Sequence, residues 1–360
     1  MEALTIVLLA FAVFGAIDRA IGCKLGIGKE FEKAFMLLGV TALTMIGMIT
    51  ISPLLARLMM PVSSFVATYL HLDPSIIPAS LFANDMGGAS LSLEMAADEG
   101  LGFFNGLVVS SMMGCTVSYT VPFALGIVKK ELHGELLLGM LCGIITIPVG
   151  CLVGGFICGI PFFRLIADIA PLVIFSVIIA IGLVKFTDLC VKVFKWIGFF
   201  ITAVIMLGLS LGMINFVLGR EVISGLVSVE EGLDVCFNGV IVLAGALPLV
   251  YAISRILAKP LRAIGNRVGI NEYSVVGLFS TISTSSTMFP IMDRMDKKGV
   301  VLCAAFSVSG AFTVGAHLAF TIAFNKEYLL AVVVGKLIAG VCAILLANVI
   351  YARNQRKKEK

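Results

Sequence analysis

Two stretches of this chain stand where bilayer-spanning residues are expected and are made of other material. Leu81 to Met95 reads Leu-Phe-Ala-Asn-Asp-Met-Gly-Gly-Ala-Ser-Leu-Ser-Leu-Glu-Met, and Leu278 to Met292 reads Leu-Phe-Ser-Thr-Ile-Ser-Thr-Ser-Ser-Thr-Met-Phe-Pro-Ile-Met. A shift of 197 residues sets Leu81-Phe82 on Leu278-Phe279, Ser90 on Thr287 and Met95 on Met292. Irregular backbone survives at membrane depth only where protein or a water-filled cavity surrounds it. Polar, Gly- or Pro-broken segments at matching places in two halves point to the binding site of a transporter.

The surroundings of both segments are apolar. Hydrophobic residues make up 59% of the chain and charged residues 13%, with a mean hydropathy of +1.09. A soluble domain carries about a quarter charged residues, so the expected class is an all-α polytopic membrane protein. At about 20 apolar residues per span, nine segments qualify, beginning near residues 3, 33, 102, 134, 166, 194, 235, 300 and 328. The polar segments fall between the second and third spans and between the seventh and eighth. Each reads as a re-entrant pair of half-helices, over about 73–98 and about 271–293.

Loop charge decides between re-entry and a single crossing. With both segments re-entrant, the loops holding Arg19 to Lys33, Lys129-Lys130, Lys185 to Lys195, Arg255 to Arg267 and Arg294 to Lys298 share one side with the tail. That tail, 353–360, carries Arg353, Arg356, Lys357, Lys358 and Lys360, while Arg57, Arg164, Arg220 and Lys326 take the other side. The positive-inside rule then predicts nine crossings, an outside N-terminus and a cytoplasmic C-terminus. The net charge of +4 suits anionic lipid headgroups and implies no nucleic acid. Glu2 stands where a basic leader region would be, so the first span is expected to be retained.

Further matches support an internal repeat, 1–160 and 161–352. Pro53-Leu54 with Arg57, Leu58 and Pro61 precedes the first polar segment, and Pro248-Leu249 with Arg255, Ile256 and Pro260 precedes the second. Glu135-Leu136-Leu137 and Glu327-Tyr328-Leu329-Leu330 open the last span of each copy. An odd number of crossings separates the copies, which makes the repeat inverted, the geometry of alternating access. The nine cysteines form no Cys-x-x-Cys pair, so neither a metal site nor a disulfide frame is expected. No nucleotide loop, metal cluster or cofactor motif points to an enzyme or to ATP drive.

Asn84-Asp85-Met86-Gly87-Gly88 followed by Glu94-Met95-Ala96 resembles a segment of the ethanolamine utilisation permease family, EutH. Similar family patterns are Ser110-Ser111-Met112-Met113-Gly114, Ile147-Pro148-Val149-Gly150-Cys151, Gly315-Ala316-His317-Leu318-Ala319-Phe320 and Val334-Gly335-Lys336-Leu337-Ile338-Ala339-Gly340. The resemblance implies an ethanolamine importer of the bacterial inner membrane, feeding ethanolamine-degrading enzymes. The hairpin plan also resembles that of concentrative nucleoside transporters, a likeness of fold only. Other readings are a carrier of a nucleoside or another small cation, and a membrane receptor or scaffold that binds solute without moving it.

Ethanolamine at neutral pH is an ammonium with a hydroxyl two carbons away, so its site needs one anion and a few neutral polar groups. Asp85 supplies a carboxylate beside the Gly87-Gly88 break, and Asn84 could hold the hydroxyl. Charge at the bilayer centre costs at least about 2.5 kcal/mol, which favours a functional Asp85 over a helix cap. Glu94 is either part of an acidic mouth or a solvated helix end. Thr281, Ser283, Thr284, Ser285 and Ser286 offer hydroxyls to substrate or bond back to their own helix. His317 is either an interhelical hydrogen-bonder or a proton relay. Lys336, inside a span, reads as a structural or gating partner of a carboxylate. Asn105, Tyr119 and Asn238 read as interhelical contacts, and the Gly150 to Gly154 spacing permits close helix contact, within the chain or in a homo-oligomer.

Overall fold

Backbone crossing hydrocarbon must pair its polar groups internally, and the apolar runs of this chain do so as helices. The computed structural model describes residues 2–358, with the side chains of residues 2–4, 191, 254, 257–264, 266 and 357–358 excepted. Lys360 and the side chains of Pro260, Lys357 and Lys358 therefore lie outside the described residues. Among the described residues every regular element is helical and no strand occurs.

In chain order the helices are α1 (Glu2–Ala20), α2 (Ile27–Met36), α3 (Leu38–Leu58), α4 (Met60–Tyr69), α5 (Ile76–Leu81), α6 (Gly88–Met95), α7 (Glu99–Phe104) and α8 (Val121–Ile127). They continue as α9 (His133–Ile157), α10 (Phe162–Lys185), α11 (Thr187–Leu218), α12 (Val229–Val268), α13 (Glu272–Ser283), α14 (Lys297–Gly310), α15 (Ala316–Asn325) and α16 (Leu329–Lys358). Among the described residues, seven helical stretches are long and apolar enough to cross a bilayer: Ile27–Leu58, Glu99–Ile127, Lys130–Ile157, Phe162–Lys185, Thr187–Leu218, Val229–Ile253 and Ala316–Arg356. Of the nine expected segments, the first, whose opening residues have no described side chains, and the eighth, where α14 has 14 residues and is cut from α15 by a turn at 311–315, are not in this set. The basic tail does not leave the last helix at residue 353, because α16 continues to Lys358.

Burial separates centre from periphery. The apolar core of the Glu99–Ile127 stretch is 89% buried, whereas that of Thr187–Leu218 is 22% buried and turns Trp196, Phe199 and Phe200 outward. Exposed aromatic rings on that scale suit lipid rather than water. The central stretch is not a plain α-helix, since Asn105–Gly114 and Thr116–Thr120 between α7 and α8 are π-helical. Its hydroxyls bond back along the chain: Ser110 to the Gly106 carbonyl, Thr116 to Met112 at 2.6 Å and Ser118 to Gly114 at 2.7 Å. Such bonds compete with the regular helix ladder.

The central helix carries hairpin 1, formed by α5 and α6. Between them Phe82 and Ala83 are extended, Asn84–Met86 makes one 3-10 turn, and Gly87 takes φ 101°. Any Cβ at Gly87 would lie 2.0 Å from Met48 Cγ, so both backbone angle and space demand glycine there. Hairpin 2 begins with α13, breaks at extended Thr284, turns through Ser285–Thr287 and returns through Phe289–Arg294. That return is 3-10 rather than the expected α half-helix. Pro290 starts it, and it lasts only six residues.

Both hairpins are tied at the mouth by the same chemistry. At the first, Asp73 accepts from the amides of Ser75, Ala97 and Asp98 and from the Ser75 hydroxyl. At the second, Asn271 accepts from the Ser274 amide and hydroxyl, and Asp296 accepts from the Asn271 amide. Asp98 then caps α7 through the Leu101 amide, as Asp296 caps α14 through Gly299. The turn between α14 and α15 pairs with hairpin 2 in strand-like fashion: Phe312 N donates to the Thr281 carbonyl at 3.1 Å and Val314 N to Ile282 at 3.0 Å. Gly150 and Gly154 are used inside the chain. A Cβ on Gly150 would lie 2.5 Å from the Gly335 carbonyl of α16, and one on Gly154 2.7 Å from Val108.

Candidate functional site

Asp85 reaches the centre of the molecule because the extended Phe82-Ala83 pair ends α5 early and the following 3-10 turn aims residue 85 away from the hairpin axis. Ser118 of the central helix holds this break by accepting the Ala83 amide at 3.2 Å. The Asp85 side chain keeps 23% of its surface, opening onto a cleft lined by Thr41, Met45, Cys236, Gly239, Ala316 and Phe320. The space inside is about 20 Å³, enough for one water. His317, at the start of α15 and 2% exposed, places Nε2 at 3.9 Å from Asp85 Oδ1.

A lysine lies close by. Lys336 of α16 is 1% exposed and donates from Nζ to the Ser111 carbonyl at 2.6 Å. Its charge is near enough to act on Asp85, His317 and Cys115. An aromatic group completes the wall: the Phe312 ring lies 5.1 Å from His317 and 5.5 Å from Tyr119, which stacks on Phe123 at 4.9 Å. Tyr119 lies within hydrogen-bonding reach of Ser286 of hairpin 2, and the Asp85 charge is felt at its hydroxyl.

Several polar atoms here have no protein partner. Asn84 and Ser285 are fully buried, each opening the 3-10 turn at its hairpin tip, and both amide atoms of Asn84 and the Ser285 hydroxyl are unpaired. The same is true of His317 Nδ1. Buried polar groups are ordinarily paired, so a set of orphans at two matching tips marks where a small polar solute would be held.

The other sequence candidates divide. Gly87 and Gly88 shape the break: a Cβ on Gly88 would lie 2.4 Å from the Phe82 carbonyl. Glu94 is exposed at the far end of α6, and the structure does not bring it to Asp85. Thr281 bonds back to the Gly277 carbonyl at 2.7 Å. The Thr284 and Ser286 hydroxyls are 2.6 Å apart and bond to each other. Ser283 and Thr284 line a vestibule of about 330 Å³ that reaches Glu30, Lys33, Tyr251 and Glu272 near the starts of α2 and α13. Asn105 bridges helices as expected, whereas Asn238 is exposed on α12. Sequence reasoning missed the parts of Tyr119 and Phe312. Tyr119 sits in the polar run Cys115 to Thr120 and Phe312 between Gly310 and Gly315, the only signals that set them apart from core aromatics.

Comparison with known proteins gives a consistent result. Residues 1–350 match the family profile described as Ethanolamine utilisation protein, EutH. The probable ethanolamine permease EutH of Listeria monocytogenes serotype 1/2a (strain 10403S) is 37% identical over 99% of this chain and 97% of its own length. The protein so named from Salmonella typhimurium (strain LT2) is 34% identical over 93% of this chain and 88% of its own. The uncharacterized protein YxeR of Bacillus subtilis (strain 168) is 34% identical, covering 100% and 97%. No solved structure matches the chain. With one profile running along residues 1–350 and relatives at 34 to 37% identity over nearly full length, the chain belongs to the ethanolamine utilisation protein family EutH.

Proposed function

We propose that this protein is a permease that carries ethanolamine across the bacterial inner membrane. The observation that carries the reading is the Asp85 carboxylate at a hairpin break, facing His317 and flanked by the unpaired amide of Asn84. Asp85 takes the ammonium, and the orphan atoms of Asn84 or Ser285 take the hydroxyl. Phe312 and Tyr119 offer ring faces to the cation. The Lys336 charge partly balances Asp85 while the site is empty, and an arriving ammonium competes with that balance.

The two cavities fit alternating access. The cleft at Asp85 has room for one water, while the larger vestibule leads from hairpin 2 to α2 and α13. By the loop charges, that side is cytoplasmic, the N-terminus is outside, and the nine-crossing inverted plan follows. Transport is either facilitated diffusion or ion-coupled, delivering substrate to ethanolamine-degrading enzymes.

Uptake of labelled ethanolamine into proteoliposomes holding the purified chain tests the proposal. Saturable uptake, competed by excess unlabelled ethanolamine, is expected. Ethanolamine binding without internal accumulation would make the protein a receptor, and a lack of both would move the substrate elsewhere.

A further inference from the structure

Beyond the Asp85 site, a second buried polar cluster lies between the mouth of hairpin 1 and α10. Asn105, fully buried at the start of the π-helical stretch, donates from Nδ2 to the Ser75 hydroxyl at 2.9 Å and to Asp168 Oδ1 at 3.1 Å. Ser75 in turn donates to Asp73 Oδ1 at 2.6 Å. Asp73 is saturated with donors on both oxygens. What remains is a surplus of acceptors: Asp168 Oδ2 and Asn105 Oδ1 are buried and have no donor.

Nothing charged in the neighbourhood removes that surplus. Arg164, one turn earlier on α10, is committed to Asp98 at 2.9 Å. Asp73 adds a like charge, the Arg164 charge reaches Asp168 more weakly than that of Asp73, and the Cys151 thiol of α9 lies within reach of the Asp168 charge. A carboxylate that is 3% exposed and holds one hydrogen bond is costly unless a positive charge joins it.

The hairpin itself does not require this acid. Asn105 lies seven residues after the Asp98 cap, and the residue seven after the Asp296 cap is Cys303. There the Cys303 thiol simply donates to the Ser274 carbonyl at 3.3 Å. The second mouth is thus tied by the same knot without an acid behind it.

We propose that Asp168 Oδ2 and Asn105 Oδ1 form a binding site for a small monovalent cation, a proton or a sodium ion, distinct from the Asp85 site. Both ions supply the one positive charge that two acceptor oxygens lack, and both tie α10 to hairpin 1 through Asn105 and Ser75. The inference rests on the permease reading for what the ion drives, not for whether it binds.

The test is thermal melting of the purified full-length chain, first across acid to neutral pH without sodium, then across sodium concentration at fixed neutral pH. A rise in melting temperature with acid alone identifies the proton, and a rise with sodium but not potassium identifies sodium. Either rise must disappear in Asp168→Asn, whose amide mimics the neutralised acid, which separates it from titration at Asp85 or His317. Should that variant fail to insert, Asn105→Ala serves, with the midpoint of the rise moved at least tenfold in ion concentration. No rise with either ion, or an unchanged rise in the variants, overturns the site and leaves a trapped water as its occupant. Because melting needs no substrate, a failure of ethanolamine uptake leaves this test intact. Where uptake is present, it should follow the gradient of the same ion in wild type and not in Asp168→Asn.

Discussion

His317 Nε2 stands 3.9 Å from Asp85 Oδ1, facing the carboxylate but too far for a hydrogen bond. The two residues come from hairpin 1 and from the start of α15, so the gap spans the expected halves of the molecule. A contact that is held short of bonding leaves a lone pair of Asp85 available to a donor from outside the protein.

Asp85→Asn should therefore lose nearly all ethanolamine uptake while the protein still reaches the membrane. Removing one partner of a buried charge pair costs about 3 kcal/mol or more, which raises the half-saturation constant about 100-fold or beyond. Kinetics of a well-inserted variant check this, and near-normal uptake would place the ammonium elsewhere.

Ser285→Ala and Asn84→Ala should weaken ethanolamine more than propylamine, since only the amino alcohol has a hydroxyl to lose. An unpaired buried polar group costs about 1 to 3 kcal/mol, so the ratio of the two half-saturation constants should move by about 5- to 100-fold. Equal effects on both amines would reduce the two tips to structural turns.

Orientation is open to labelling. Glu99, at the start of α7, and Lys297, at the start of α14, are both exposed. With native accessible cysteines replaced, a cysteine at Glu99 should react with an impermeant reagent on intact cells, and one at Lys297 only after permeabilisation. Reaction of both on intact cells would rule out the nine-crossing plan.

Acid should weaken the mouth of hairpin 1. The Leu101 amide, and then Arg164, hold the Asp98 carboxyl below its ordinary value of 3.8. A group with a depressed folded value stabilises the protein above its unfolded value and stops doing so as pH falls through the folded one. Asp98→Ala should thus lower stability by about 1 kcal/mol at neutral pH, the usual worth of an N-cap, with wild type and variant converging below pH 3.8. Melting curves of both proteins in detergent across that range provide the comparison.

The helix breaks at 82–87 and 284–288 were legible because they are written in local chemistry. Asn84 to Gly88 cannot continue a helix through Gly87 without strain, and Ser283 to Thr287 offers hydroxyls that end α13. What stayed hidden depends on tertiary contact. Tyr119 reads from the sequence as an interhelical contact and Phe312 has no reading of its own, and only the turn at 311–315 brings Phe312 to His317. Glu94 reads as part of an acidic mouth or as a solvated helix end, and α6 leaves it exposed at the end away from the tip, which suits either. Asp168 drew no attention as one acid in a long apolar span, because its pairing with Asn105 joins residues 63 positions apart.

The hydrogen bonds from Phe312 and Val314 to the carbonyls of Thr281 and Ile282 have a mechanical meaning. They weld the first arm of hairpin 2 to the segment that carries His317, so neither can shift without dragging the other. In the proposed alternating-access cycle, opening on the vestibule side would then not be a private flexing of hairpin 2. The welded block would travel as one body against hairpin 1, with the separation of Asp85 and His317 as the gauge of its stroke.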